Sequence, residues 1–303
     1  MQKAVSHIGK YLKWYILLSL IVTSILVWSS VFHESRNGVL KFVVLDVGQG
    51  DALYIESPTG VQVIVDGGPN RNLAKVISDV MPWYDRHVDL LVVTNPDADH
   101  YEGFISFLNK YKVDALLEPG TTNKYSAYKV FEDNIAEKGI PKMLARTGQK
   151  IDLGGGAYLL VLFPDRDVSG LSSNDGSIVM KLIYGETRVM LQGDSTAKIE
   201  THLLNKVASS TLASTILKVG HHGSRTSSTF GYVKTVSPKW AVVSSGLNND
   251  YNHPHKETLD TLQELRVPTY STCNNGSIFF KSDGKIFTFE NKNLREVVVG
   301  CKL

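Results

Sequence analysis

Clusters of Asp, Asn and His side chains recur along the sequence, and each cluster follows a short apolar segment. "LLVV" continues into "TNPDADHYEG", "ILKV" continues into "GHHGS", and "AVVSS" is followed shortly by "NDYNHPHKE". Apolar segments of this length that are bounded by turn residues are typical of buried strands. Because open α/β sheets form their crevices at the carboxyl ends of strands, we expect these clusters to converge on one crevice.

The order of the predicted elements favours a mixed α/β fold. Three strand patterns, "LKFVVLDV", "ALYIES" and "VQVIVDGG", come first, and helices, beginning with the helix-like stretch "RNLAKVISDVM", then alternate with strands. A second half begins again with strands, "GAYLLVLF", "SIVMKLIYG" and "TRVMLQGD", before the alternation resumes. Two such halves predict two mixed sheets packed face to face with helices outside, in one soluble domain of roughly 265 residues.

The N-terminal part of the chain contains one long uncharged segment, residues 14–32. A helix of that length spans the hydrocarbon core of a bilayer, which predicts a transmembrane anchor. Three lysines precede the segment and no Lys or Arg follows it until Arg36, so the positive-inside rule places the N-terminus in the cytoplasm and the soluble domain outside the cell membrane. A cleaved signal peptide is the alternative, although the segment is long for one. The predicted regions are a cytoplasmic N-terminus (1–13), the anchor (14–32), a linker (33–38) and the soluble domain (39–303).

The net charge and the cysteine content say little about the partners of the chain. The formal net charge of +2 lacks the strong basic excess that dominates many nucleic-acid-binding proteins. Cys273 and Cys301 are the two cysteines of the chain. They could form a disulfide in an oxidising compartment or remain ordinary thiols, and their spacing makes a metal site improbable.

Two carboxylates stand at strand ends outside the main clusters. Asp66 in "VIVDGG" precedes two glycines, and it could orient a metal ligand or simply belong to a turn. Asp194 in "VMLQGD" could cap the following helix or bridge two metal ions.

The segment "LKVGHHGSRTSS" combines His221 and His222 with Ser224 between glycines that allow close approach of the backbone to a ligand. Such a set of donors suits a phosphate group. His253 and His255 form a further histidine pair in "NDYNHPHKE".

These motifs resemble those of metallo-β-lactamase-fold hydrolases. "LDVGQGDALYIESPTGVQVIVDGG", "TNPDADHYEG", "LQGD", "LKVGHHGS" and "NHPHKETL" are more narrowly similar to the extracytoplasmic hydrolase domain of the ComEC DNA-uptake competence family. The resemblance implies an αββα sandwich, here preceded by one transmembrane helix and without the multi-span channel of that family.

The resemblance also implies a set of metal ligands. The family's H-x-[HD]-x-D-H motif falls on Asn95, Asp97, Asp99 and His100, with Asn95 in place of the first histidine. The bridging aspartate falls on Asp194. The last ligand histidine falls on His253, with His255 as the reserve choice, and a further family histidine is replaced near Asn174 or Asp175. The resemblance thus implies one intact metal position, formed by Asp99, His100, Asp194 and His253, and a second that is reduced to Asn95, Asp97, Asp194 and Asn174 or Asp175.

Loss of histidines changes the expected metal. Carboxylate and amide oxygens shift the preference from Zn²⁺ toward Mn²⁺ or Mg²⁺, so we expect one or two divalent ions of the harder type, or a single Zn²⁺. Asp99 or Asp194 would orient an attacking water, and His222, or else His221, would donate a proton to the leaving oxygen, with Ser224 assisting.

The function predicted in this way is a membrane-anchored phosphodiesterase or nuclease related to competence DNA uptake, working with a possible separate channel protein. One alternative keeps the enzyme and changes the substrate to a cell-envelope phosphodiester polymer, for example one that bears choline. The other is a non-catalytic, metal-poor binding or regulatory module, which the histidine losses suggest.

Overall fold

The computed structural model of the chain describes residues 2–34, 38–70, 72–291, 294–297 and 301. It divides into two compact units, residues 1–37 and residues 38–303. The linker predicted over 33–38 lies partly outside the described residues.

The first unit contains one helix, α1 (Gln2–Glu34). The stretch Tyr11–Ser29 within it is long and apolar enough to cross a membrane, a criterion that an N-terminal signal sequence also meets. The apolar helix predicted over 14–32 is therefore confirmed as a candidate membrane span.

The second unit contains two mixed sheets. The eight-stranded sheet has, in spatial order, β15 (Phe287–Phe289), β14 (Ile278–Ser282), β1 (Leu40–Val44), β2 (Leu53–Glu56), β3 (Gln62–Val65), β4 (His87–Val92), β5 (Lys112–Glu118) and β6 (Lys142–Leu144). The seven-stranded sheet has β13 (Thr269–Ser271), β12 (Trp240–Val243), β11 (Ile216–Lys218), β10 (Thr187–Leu191), β9 (Val179–Tyr184), β8 (Ala157–Phe163) and β7 (Lys150–Gly154).

Parallel pairing groups certain strands in each sheet. Strands β3 to β6 run parallel to one another, as do β10 to β13, and the remaining neighbours pair antiparallel. The carboxyl ends of β3 and β4 in one sheet and of β10, β11 and β12 in the other precede the histidine and aspartate clusters predicted from the sequence.

Helices lie on the outer faces of the sheets. They are α2 (Leu73–Val76), α3 (Ala98–Phe107), α4 (Ser126–Glu137), α5 (Ala197–Lys206), α6 (Ser209–Leu212), α7 (Phe230–Val236), α8 (Lys256–Glu264) and α9 (Thr272–Asn275), with 3₁₀ turns at Ile77–Asp79 and Gly220–Gly223. Three buried apolar clusters separate the layers, one between the sheets and one under the helices on each side. The αββα sandwich is thus confirmed.

Strand β1 shows why the layers form. Phe42 and Val44 belong to the cluster between the sheets, whereas Val43 belongs to the cluster that contains Phe104 and Phe131 of the outer helices. Successive side chains of a strand point to opposite faces, so a continuous apolar strand packs on both sides.

The structure corrects three details of the predicted order. The C-terminal strands β14 and β15 return to pair beside β1, so the first sheet is not built from the first half of the chain alone. The strand β7 was not predicted from the sequence. The helix expected over "RNLAKVISDVM" is only α2 and a 3₁₀ turn within the described residues, and Pro82 disfavours helical conformation at the preceding Met81.

Cys273 and Cys301 are joined by a disulfide, which resolves the alternative left open by the sequence. The bond links α9 to the C-terminal segment, 28 residues further along the chain.

Candidate metal centre

The clusters at the strand ends meet in one crevice. Asp66 follows β3, and Asp99 and His100 lie on the loop and first helical turn after β4. From the other sheet, Asp194 follows β10, while His221 and His222 follow β11. The donor atoms of Asp99, His100 and His222 all lie within 4.8 Å of one another, and so do those of Asp51, Asp194 and His222.

His100 is fixed by Asp66. The Nδ1 atom of the fully buried His100 lies 3.0 Å from Oδ2 of Asp66. Thr94 donates to both oxygens of the same carboxylate, from its backbone N (2.8 Å) and its hydroxyl (2.7 Å). The other ring nitrogen, Nε2, lies 3.1 Å from Oδ2 of Asp194. Asp66 therefore orients the ring so that Nε2 is directed into the crevice.

His222 repeats this arrangement from the opposite sheet. Its Nδ1 lies 3.1 Å from Oδ1 of Asp51 and 3.1 Å from the carbonyl oxygen of Ser244, so Nδ1 carries the proton. Its Nε2 lies 3.1 Å from Oδ2 of Asp99 and 3.5 Å from Oδ2 of Asp194. With its proton on Nδ1, the neutral ring presents an unprotonated Nε2, the form that binds metals.

The site contains buried polar atoms that make no well-formed hydrogen bond. Among the described residues these are Nε2 of His100, Nε2 of His222 and Oδ1 of Asp194, although a carboxylate oxygen lies 3.1 Å from each of the two nitrogens. Leaving such an atom unsatisfied costs about 1–3 kcal/mol each. Two imidazole nitrogens together with the carboxylates of Asp99 and Asp194 form a donor set that a divalent cation would satisfy, so these residues fit a metal ion.

The charge states in the metal-free protein reflect a strongly negative crevice. Burial opposes ionisation of Asp194, but His222 and His100 hold its pKa well below the usual range. Burial alone would lower the pKa values of the two imidazoles, yet Asp194 with Asp66 raises that of His100, and Asp194 with Asp51 raises that of His222, well above 6.5. The carboxylates thus attract positive charge, and a divalent ion would displace the protons.

The sequence analysis missed two members of this centre, Asp51 and Lys218. Both side chains are buried, and the ammonium of Lys218 lies 2.6 Å from Oδ2 of Asp51. Burial raises the pKa of Asp51, but Lys218 and His222 together lower it to about 2. A lysine inside the apolar run "TILKV" and an aspartate at the start of the apolar "ALYI" were the signals that could have identified the pair.

The side chains at the other predicted metal position are already engaged in hydrogen bonds. Asn95 donates from Nδ2 to Oδ1 of Asn174 (2.7 Å), and its own Oδ1 accepts from the backbone N of Asp97 (2.9 Å). The Asp97 carboxylate accepts from Ser173 Oγ (2.7 Å) and from Asn123 Nδ2 (3.2 Å). Among the described residues, Asp97 is therefore outside the groups of converging ligands, and the side-chain amides of Asn95 and Asn174 are hydrogen-bonded to each other.

The C-terminal histidines lie beside the crevice. His253 is buried, and its Nδ1 is 3.4 Å from Nε2 of Gln49. Burial and the neighbouring His222 lower the pKa of His253 to about 3, so its ring is neutral at pH 7. His253 is not among the converging ligand groups of the described residues, and His222 stands there in its place. His255 accepts a hydrogen bond at Nδ1 from the backbone N of Arg225 (3.1 Å), a contact within the surrounding loops.

His221 lies on the open side of the centre. Its side chain is 22% exposed, its Nε2 is 3.7 Å from Oδ2 of Asp194, and its Nδ1 is 2.9 Å from the hydroxyl of Thr226. That hydroxyl donates in turn to the buried Ser224 Oγ at 2.9 Å. Ser224 therefore supports the orientation of His221 through Thr226, whereas the sequence analysis placed it on the phosphate.

The backbone of the "GHHGS" turn explains how adjacent histidines serve one site. His221 and His222 both have positive φ, 47° and 54°, a conformation that non-glycine residues adopt rarely and mostly at functional sites. Gly223 has a φ of 84°, and a Cβ there would approach the Cβ of Pro254 to 2.5 Å. The glycine thus lets the turn pack against the loop that carries His253.

Comparisons with known proteins support the fold described above. No protein-family model matches the sequence. The chain is 26% identical over 269 residues to ComE operon protein 3 of Bacillus subtilis (81% of this chain, 33% of the relative) and 33% identical over 241 residues to competence protein ComA of Neisseria gonorrhoeae (78% and 31%). It therefore spans about a third of the length of these relatives.

Two solved structures share the architecture at low sequence identity. The metallo-β-lactamase-fold protein YhfI of Bacillus subtilis has a TM-score of 0.50 at 9% identity, over 77% of this chain and 95% of YhfI. The diiron β-hydroxylase CmlA of Streptomyces venezuelae has a TM-score of 0.50 at 14% identity, over 74% and 51%. Together with the competence relatives, these structures establish that the chain is a ComEC-like protein of the metallo-β-lactamase fold.

Proposed function

We propose that this chain is a metal-dependent phosphodiesterase that hydrolyses nucleic acid. The observation that carries the proposal is the convergence of the buried Nε2 atoms of His100 and His222 on the carboxylate of Asp194. The similarity to competence proteins over about four fifths of the chain favours DNA as the substrate. Incubation of the detergent-solubilised chain with single-stranded DNA and Mn²⁺ tests the activity, and uncleaved DNA would contradict it.

Asp99, His100, Asp194 and His222 would hold the metal ion. This ligand set differs from the one expected from the sequence, because His222 takes the place of His253. Two imidazoles and two carboxylates suit Mn²⁺ or Zn²⁺ better than Mg²⁺. A divalent ion supplies Lewis-acid stabilisation of phosphoryl oxygens and lowers the pKa of a bound water.

His221 is the residue we propose for proton transfer to the leaving oxygen: Nδ1 keeps its own proton toward Thr226, and Nε2 would accept the proton that the attacking water loses and pass it to the leaving oxygen. It stands on the open side of the centre, 22% exposed, with Nε2 3.7 Å from Oδ2 of Asp194. Its contact with Thr226 fixes the ring, and its Nε2 faces the site. His222 cannot take this role as well, since both of its ring nitrogens are engaged at the metal centre and at Asp51.

The variant His221→Asn separates catalysis from metal binding. Asn tolerates the left-handed backbone at this position but cannot transfer a proton. We expect kcat to fall about 100-fold or more, with metal affinity unchanged. The matched control is His202→Asn on α5, whose side chain has the same exposed fraction of 22% and which pairs with Asp165 instead. An unchanged kcat for His221→Asn would assign the proton transfer elsewhere.

We further propose that the centre binds a single ion. The second position predicted from the sequence is occupied by the amide pair of Asn95 and Asn174 and by the hydrogen-bonded carboxylate of Asp97. An Asn side chain offers only a neutral oxygen to a metal, and Oδ1 of Asn95 already accepts a hydrogen bond.

Restoring imidazoles at that position should create a second metal site. In the variant Asn95→His/Asn174→His, two nitrogen ligands flank Asp97, and we expect the content to rise from one to two ions per chain. Elemental analysis of the purified protein measures this ratio, and circular dichroism verifies folding. Asn109→His/Asn205→His adds two imidazoles at exposed positions as the control. Two ions in the unaltered chain would refute the single-ion proposal.

We also propose that the N-terminal helix anchors the domain outside the cell membrane, with the N-terminus in the cytoplasm. The disulfide between Cys273 and Cys301 supports an oxidising compartment. A separate channel protein is the partner we propose for DNA transport, because the relatives that the chain resembles include a competence protein. Digestion of the domain by protease added to intact spheroplasts tests the orientation, and full protection would contradict it.

A further inference from the structure

We propose that Tyr251 forms a stacking subsite for a nucleobase next to the metal centre. This inference rests on the proposed function and specifies which part of the substrate is recognised beyond the phosphodiester. The Tyr251 side chain is 63% exposed and lies on the ring of His253, with a centroid distance of 5.6 Å and an interplanar angle of 21°. One face is thus covered by an imidazole, and the ring remains largely open to solvent.

A chain of ring contacts connects Tyr251 to the centre. The His253 ring lies 5.6 Å from that of His221 and 6.1 Å from that of His222. Tyr251 is therefore one ring beyond His253, which itself lies next to both His221 and His222. A strand whose phosphodiester enters the centre would bring a neighbouring base toward this ring.

The loop that carries Tyr251 is held in place. Asn249 accepts from the backbone N of His253 at 2.9 Å and donates to the carbonyl oxygen of His253 at 2.7 Å. These two bonds close the loop around Tyr251, so little conformational entropy would be lost when a ligand binds to the ring.

A nucleobase suits this surface better than a cationic group. Every base has a π-face, and stacking on one aromatic ring contributes without sequence preference. Quaternary ammonium groups are instead held in cages of several aromatic rings. Among the described residues, the aromatic contact recorded for Tyr251 is the one with His253.

Binding of oligonucleotides to the Mn²⁺-loaded full chain in detergent tests the subsite, with His221→Asn present in every sample to suppress cleavage. The probes are a fluorescent single-stranded oligothymidylate and an abasic oligonucleotide of the same length, which keeps the phosphodiesters and lacks the bases. We expect Tyr251→Ala to weaken oligothymidylate binding about 5-fold or more, Tyr251→Phe to bind like the unaltered chain, and abasic binding to stay unchanged.

The control Trp83→Ala removes another exposed aromatic side chain, 80% exposed, which precedes the amino end of β4 and so lies away from the carboxyl ends that form the centre. It should bind both probes normally. Equal affinity of Tyr251→Ala and the unaltered chain for oligothymidylate would overturn the inference. An equal loss on the abasic probe would overturn it as well.

The outcome is independent of the proposed activity. Hydrolysis is measured separately, with the Mn²⁺-loaded chain and single-stranded DNA. Cleavage of DNA together with unchanged binding by Tyr251→Ala would remove the subsite and keep the enzyme. Base-dependent binding without any cleavage would keep the subsite and remove the phosphodiesterase proposal.

Discussion

Asp194→Asn should abolish both binding of the divalent ion and hydrolysis. Asp194 Oδ2 lies within 3.7 Å of nitrogens of His100, His221 and His222, so its carboxylate contacts every imidazole that faces the centre. Replacing a partner behind a metal ligand typically costs 10–100-fold in affinity, and we expect loss of a ligand itself to cost at least about 100-fold. Titration calorimetry with Mn²⁺ measures this change.

The same variant should remain folded. Asn has nearly the volume of Asp, and removing this carboxylate relieves its repulsion with Asp99. Asp175→Asn is the matched control, because that carboxylate binds Thr196 and Lys198 outside the centre. Metal affinity of Asp194→Asn equal to that of the control would show that the ion is bound elsewhere.

Lys218→Met should cause the largest loss of stability. It leaves the Asp51 carboxylate buried beside His222 without its cation, and breaking a buried ion pair from one side typically costs about 3–5 kcal/mol. Lys181→Met is the control. That lysine is also buried in a strand, but its ammonium donates to the carbonyl oxygens of Thr211 and Ala213. Its removal leaves no unpaired charge, so the free energy of unfolding should fall by only about 1–3 kcal/mol.

A double variant separates the structural and functional roles of the pair. Lys218→Met/Asp51→Leu replaces both charges by apolar groups and should recover most of the lost stability. Metal affinity should nevertheless stay about 10–100-fold weaker, since His222 has lost the carboxylate that orients it. Thermal unfolding and metal titration of the same samples measure the two effects. Full metal affinity in the double variant would mean that Asp51 does not position His222.

The sheets and their crevice could be predicted because the apolar runs are local signals. The composition of "LLVV" and "AVVSS" predicts a strand at each segment, and the polar residues after them mark the strand ends. The return of β14 and β15 to the edge of the first sheet could not be predicted, since it depends on pairing between Leu40 and Ser282, which are 242 residues apart.

Part of the site could also be predicted from local signals in the sequence. Asp99, His100 and Asp194 stand at strand ends where their approach to one another follows from topology. The choice between His222 and His253 depends on side-chain direction, which the left-handed turn at His221 and His222 sets and which no pattern of residue types encodes. Asp51 and Lys218 were missed because each is a single charged residue, one before an apolar segment and one inside another, and only their contact across the two sheets reveals the pair.

The most direct test of the account is the metal content of the full-length chain, measured together with Mn²⁺-dependent cleavage of single-stranded DNA. We expect one ion per chain in the unaltered protein, none in His222→Ala, and one in His253→Ala, with cleavage lost whenever the ion is lost. Retention of the ion and of cleavage in His222→Ala, with loss of both in His253→Ala, would contradict the assignment of His222 as a metal ligand.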